Sequence, residues 1–233
     1  MVIDSVILRE QFPAKGARAS HPSHRAPVRR WLIALGLSVG AATLAHGQAS
    51  ASQTAEAIFA GGCFWCVEAD FDKQPGVVST TSGYTGGKEA DPTYRQVASG
   101  QTGHTEAVRI VYDPEKISFG RLLDVFWRNI DPLDATGQFC DRGRQYRTAI
   151  FYVDDAQKRL AEESKQALET SKRFEAPIVT EVEEAATFYP AEDYHQDFYT
   201  KNPLRYQSYR IGCGRDRRLN KLWGDEAGGK PAG

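Results

Sequence analysis

Long apolar runs are missing from this 233-residue sequence. The longest uncharged stretch, residues 31–45, is about fifteen residues, short of the roughly twenty that cross a bilayer as a helix. Internal repeats and low-complexity domains are also missing, which excludes solenoid and fibrous architectures. Cysteine is scarce, at four residues, and only one pair is spaced C-x-x-C. A zinc site needs a second pair, and His104 and His195 stand alone, so neither a metal nor a bound cofactor is expected. Basic surplus is confined to the N-terminus: the first 51 residues hold six Lys/Arg against two Asp/Glu, leaving 23 basic against 28 acidic residues beyond. That mildly acidic remainder gives no electrostatic support for nucleic-acid or anionic-membrane binding. The length suits one well-buried domain with flanking segments, not a disulfide-dependent miniprotein.

The N-terminal segment has the grammar of a secretory signal. Arg25, Arg29 and Arg30 precede the uncharged run, and small residues follow it to Ala51. Residues 1–51 are therefore expected to be a signal and cleavage zone, with cleavage after Gly47, Ala49 or Ala51. The mature protein is then expected to be periplasmic or secreted, with no stable membrane partner. Residues 52–223 form the expected catalytic domain, and 224–233 a flexible tail.

Strand-like and helix-like segments alternate along the domain. Strands are predicted over 56–60, 77–84, 106–112, 148–153 and 178–182. Helices are predicted over 63–74, 92–98, from Ser118 onward, 154–173 and 216–223. The polar loop 131–147 is long enough to suggest a functional role. The stretch 188–214, rich in Tyr and Pro without regular period, reads as an irregular wrapping segment. The alternation suggests a two-layer arrangement of helices on a sheet, without fixing strand order.

The chemistry concentrates in Gly61-Gly62-Cys63-Phe64-Trp65-Cys66. A cysteine at the first turn of a helix sits among unsatisfied N–H groups that favour a thiolate, so Cys63 is a candidate nucleophile. Phe64 and Trp65 could wall an apolar pocket beside it, and Cys66 lies one turn away. Glu106 opens an apolar strand, where partial burial would raise its pKa and suit it to general-acid work. Tyr94 and Tyr146 offer phenol donors, and Asp141 a carboxylate. Cys140 and Cys213, in Gly-rich settings, look more like mobile redox partners than staples, although structural pairing of either stays open in an exported protein. A general thiol-disulfide oxidoreductase is the alternative reading of C-x-x-C at a helix start. The bulky Phe-Trp insert and the acid and phenol donors suit a small, partly apolar, oxygen-bearing group better.

Six ordered motifs resemble the A-type peptide methionine sulfoxide reductases: GGCFWC at 61–66, SGYTGG at 82–87, PTYRQV at 92–97, TGHTEAV at 102–108, DRGRQYR at 141–147 and YHQDFYTKNP at 194–203. The resemblance implies a two-layer, ferredoxin-like α+β core. It implies reduction of the S epimer of methionine sulfoxide, in oxidised proteins or free, without a cofactor, by a chain expected to be monomeric. Cys63 would attack the sulfoxide sulfur, Phe64 and Trp65 would hold the methyl group, and Glu106 would protonate the departing oxygen with help from Tyr94 and Tyr146. Asp141 would support the pocket, Tyr206 would add a substrate-side tyrosine, and a thioredoxin-like dithiol would reset the enzyme. Many relatives carry Gly where Cys66 stands and a cysteine where Gln207 stands. Resolution therefore falls to Cys66, with Cys213 as rival or second relay, and Cys140 has no assigned role.

Overall fold

The computed structural model describes residues 53–229; the expected signal and residues 230–233 lie outside them. The chain opens with β1 (Ala55–Gly61), α1 (Phe64–Phe71), β2 (Val77–Thr85), α2 (Tyr94–Ala98), β3 (Thr105–Tyr112) and α3 (Phe119–Arg128). A two-residue ladder of β4 (Gly137–Gln138) and β5 (Asp141–Arg142) follows, then β6 (Thr148–Tyr152), α4 (Asp155–Thr170), β7 (Glu181–Glu184) and β8 (Tyr189–Pro190). Three helices complete the chain: α5 (Phe198–Lys201), α6 (Pro203–Gly212) and α7 (Arg215–Trp223).

The main sheet runs β7-β6-β1-β3-β2-β8. Its centre, β6-β1-β3-β2, is antiparallel throughout. With α1 following β1 and α3 following β3, this is the β-α-β-β-α-β arrangement of a ferredoxin-like core. β7 adds a parallel strand beyond β6 and β8 an antiparallel one beyond β2.

β1 is buried on both faces because it sits mid-sheet, and its side chains divide by the two-residue period of a strand. Ala57 and Phe59 join the main core, where the Phe59 ring stacks on Phe71, Phe119 and Phe126 at 5.3, 5.9 and 4.9 Å between centroids. Ile58 and Ala60 face the opposite layer with Ala107, Ala149 and Phe151, covered by Ala185 and Phe188. The helix starts follow from their caps. Ser118 Oγ accepts the Arg121 N–H at 3.1 Å, and Asp154 Oδ1 accepts the Gln157 N–H at 2.7 Å, each satisfying an otherwise unpaired first-turn donor.

Two expectations change. The segment 188–214 is not irregular throughout: Pro203 occupies the first turn of α6, where its fixed φ and missing N–H are tolerated. The expected flexible tail is folded at least to Gly229. Glu226 binds Arg128 at 2.9 Å and also Arg173, and the Gly228 N–H donates to the Arg128 carbonyl at 3.0 Å. These contacts depend on Arg128 and Arg173, about a hundred and about fifty positions away, beyond the reach of local pattern.

Candidate active site

The site begins where β1 ends. Gly62 has φ +80°, and a Cβ there would stand 2.5 Å from Gln138 Cβ, so the turn into α1 requires glycine. Cys63 caps α1 without a side-chain hydrogen bond, and its carbonyl accepts the N–H groups of Cys66 and Val67 at 3.1 and 3.3 Å. The Phe64 N–H donates to Glu106 Oε2 at 3.0 Å. Glu106 comes from the second position of β3, and the β1–β3 pairing carries it to the start of α1.

This placement revises the expectation of a resting Cys63 thiolate. Burial pushes the Cys63 thiol well up, reinforced by Cys66 and the Glu106 carboxyl; a Tyr209 hydrogen bond acts the other way. A helix terminus is worth about 0.3–1 kcal/mol at exposed sites, and here Glu106 already takes one of its N–H groups. Cys66 is lowered, chiefly by hydrogen bonding with Cys63 and then by the Arg215 and Arg210 guanidinium groups, against its own burial. Both cysteines are free and buried.

Glu106 is only 2 % exposed, and burial raises its carboxyl to about 8 despite the Phe64 N–H, with Asp141 adding to the rise. It is thus a neutral acid at neutral pH. Burial also raises Tyr94, to about 12, and holds Tyr146 and Tyr209 further up, so all three phenols remain donors.

Cys63, Phe64, Trp65, Tyr94, Glu106, Asp141, Tyr146 and Tyr209 line one recess of about 60 Å³, room for roughly two waters. All the expected chemical groups except Tyr206 and the other cysteines therefore converge. Tyr206 lies behind the recess in a cluster with Cys66, Ala69 and Phe198, its hydroxyl accepting from Arg210 at 3.0 Å. The tyrosine that α6 contributes to the recess is Tyr209, whose hydroxyl donates to the Asp141 carboxylate. Residues three apart on a helix are neighbours, and sequence spacing alone does not say which of the two turns to the pocket.

The cysteine assignments also change. Cys213 is bonded to Cys140 across 73 positions of sequence, with Cα atoms 4.8 Å apart. Cys66 is thus the free thiol next to Cys63, and the expectation that Cys140 and Cys213 are unstapled is not met in this state.

His195 and Glu192 were missed as support for the site. Trp65 Nε1–H donates to His195 Nδ1 at 3.0 Å, and the indole stacks on Phe198 at 3.7 Å. Burial lowers the His195 pKa, which keeps the imidazole neutral and able to accept. Glu192 accepts the Tyr84 hydroxyl at 2.8 Å and the Tyr94 N–H at 3.0 Å, fixing the recess wall from outside. His195 lies within the YHQDFYTKNP motif, which was the signal available.

The peptide methionine sulfoxide reductase family profile matches residues 55–227. A peptide methionine sulfoxide reductase MsrA of Bacillus licheniformis is 55 % identical over 168 residues, covering 72 % of this chain and 93 % of the relative. One from Ligilactobacillus salivarius is 58 % identical over 167 residues, covering 72 % and 96 %. Among solved structures, reduced Mxr1 from Saccharomyces cerevisiae aligns with TM-score 0.61 at 31 % identity, over 66 % of this chain and 88 % of that one. Methionine sulfoxide reductase A of Corynebacterium diphtheriae aligns with TM-score 0.58 at 35 % identity, over 65 % and 76 %. The likeness spans the folded domain and includes the recess, and on that ground this chain belongs to the peptide methionine sulfoxide reductase family.

Proposed function

We infer that this protein reduces methionine sulfoxide, in oxidised proteins and free, to methionine, with the S epimer as substrate. The observation that carries the reading is a buried cysteine beside a neutral buried carboxylic acid in a recess of about 60 Å³ walled by aromatic rings. Phe64 and Trp65 supply the apolar wall for the methyl group, and Tyr94 and Tyr146 supply hydroxyls for the oxygen.

The steps balance within the site. The Cys63 sulfur bonds to the sulfoxide sulfur as its proton passes to Cys66 and Glu106 gives its proton to the oxygen. The oxygen ends on Cys63 as a sulfenic acid and the thioether departs, so the substrate is reduced and Cys63 oxidised. Cys66 then displaces hydroxide from the sulfenic acid, forming a Cys63–Cys66 disulfide, and the proton it received from Cys63 leaves in the water produced. Glu106, left ionised, is reprotonated from solvent. A thioredoxin-like dithiol reduces the disulfide, becoming a disulfide itself.

Export is part of the same proposal. It is supported by the signal-like composition of the first 51 residues and by the Cys140–Cys213 bridge, since disulfides persist in oxidising compartments. The donor would then be an exported dithiol protein. Conversion of each epimer of a methyl sulfoxide peptide by the mature protein with a dithiol tests the activity. No methionine from either epimer would refute it, and finding the full-length chain in the cytosol would refute export.

A further inference from the structure

The Cys140–Cys213 bridge has no part in the reaction set out above. Its neighbours on both sides line the recess. Cys140 immediately precedes Asp141. Cys213 caps α6, its N–H donating to the Tyr209 carbonyl at 2.9 Å, one turn from the side chain that faces the recess. Asp141 and Tyr209 are hydrogen-bonded to each other and both line the recess with Cys63.

Each partner sits on a short or exposed element, α6 being tied to α1 by the Arg210–Asp70 ion pair at 3.1 Å. Asp141 lies on the two-residue ladder of β4 and β5, and α6 is largely solvent-facing, with Leu204 and Ile211 at 80 % and 76 % exposure. The bridge ties these two elements together next to the pair. Cys140 is exposed and Cys213 half-buried, so an external dithiol can reach the bond.

We propose that the Cys140–Cys213 disulfide is a redox-sensitive clamp that positions Asp141 and Tyr209 for substrate capture, and not a relay that passes electrons to Cys63. The proposal rests on the sulfoxide reductase reading. With the clamp closed, the carboxylate and phenol stand at a fixed separation on the recess wall beside Cys63. Opening it consumes one dithiol, which becomes a disulfide, while Cys140 and Cys213 each gain a hydrogen. The loop carrying Asp141 and the end of α6 then lose this tie, and binding weakens while the Phe64 N–H still holds Glu106 beside Cys63. Cys140 and Cys213 are positioning residues in this scheme.

Single-turnover reduction of a methyl sulfoxide peptide, with Cys63 and Cys66 reduced, separates the possibilities. Cys140→Ser/Cys213→Ser is expected to raise the half-saturating peptide concentration about tenfold while the limiting rate stays within about threefold, the pattern of lost binding. Tyr209→Phe should raise the half-saturating concentration by a similar factor and, because Tyr209 also hydrogen-bonds Cys63, lower the limiting rate as well; adding it to the double variant should leave the half-saturating concentration little changed, because both changes disable one unit. An unchanged half-saturating concentration, or fully additive losses, would overturn the clamp. So would normal single-turnover kinetics combined with loss of dithiol-supported cycling, which is the behaviour of a relay. If the double variant does not fold, the wild type titrated with dithiol serves: the half-saturating concentration should rise with the fraction of Cys140 that becomes alkylatable, and a flat response refutes the clamp. Failure of the underlying reading is distinct, since the wild type with its bridge intact would then yield no methionine.

Discussion

Replacing Glu106 by Gln isolates the acid from everything else it does. The amide keeps the size of the side chain and can still accept the Phe64 N–H that now lies 3.0 Å from Oε2; what disappears is a transferable proton. Loss of a general acid costs about 10²- to 10⁴-fold, about 3–5 kcal/mol on the barrier. The wild type should lose activity on the alkaline side. With the carboxyl at about 8 and the protonated form active, kcat/KM should fall about tenfold between pH 7 and pH 9, and the variant should lack that limb. Stability moves the other way. A carboxyl raised by burial contributes stability that is complete below its unfolded value near 4.3 and lost as pH rises through about 8. The amide has no such loss, so above pH 8 the variant should unfold at a higher temperature than the wild type, a gain of up to a few kcal/mol. Single-turnover rates and thermal melts across pH 6–10 give both readings. An unchanged rate, or an alkaline limb retained in the variant, would refute the assignment and move the acid to Tyr94 or Tyr146.

Cys63→Ser should abolish sulfoxide reduction, because a hydroxyl is too weakly acidic and too hard to attack sulfur at neutral pH; substantial methionine formation in a chromatographic assay would overturn the nucleophile. Cys66→Ser should still release one methionine per chain but not cycle with a dithiol protein, since a preplaced thiol is what resolves the sulfenic acid. Mass mapping after one wild-type turnover should find Cys63 joined to Cys66, and a Cys63–Cys213 bond as first product would contradict this. Gly62→Ala should lower stability by about 1–3 kcal/mol, because its Cβ would press on Gln138 at a positive φ, and should depress activity by moving Cys63. Denaturant unfolding checks the first effect.

Local chemistry was legible where it depended on neighbours in sequence. The double glycine before Cys63, the helix start at Ser118 and the strand opening near Glu106 all act within a few residues, and the fold uses them as expected. Ferredoxin-like strand order was carried by motif resemblance alone, because alternation of elements does not say that β3 and β6 flank β1. Other features depended on long-range geometry and left little trace. The Cys140–Cys213 bond joins residues 73 apart, Tyr209 and Tyr206 differ only in which way α6 turns, and Glu226 reaches Arg128 and Arg173 through the folded tail.

The revised state of Cys63 bears on how such a site survives. A helix start suggests an ever-ready thiolate, but a thiolate is also what peroxides oxidise, and overoxidation past the sulfenic acid is irreversible. In this recess the Cys63 proton is retained by burial and by two neighbouring acidic groups, Cys66 and Glu106. A sulfoxide entering the recess brings an oxygen that takes the Glu106 proton, and the sulfur made electrophilic by that transfer draws the Cys63 electron pair as the Cys63 proton passes to Cys66. The nucleophile is thereby generated by its substrate. The burial that raises the thiol pKa thus works against oxidation of the resting enzyme, and the position of Cys63 at a helix start did not reveal it.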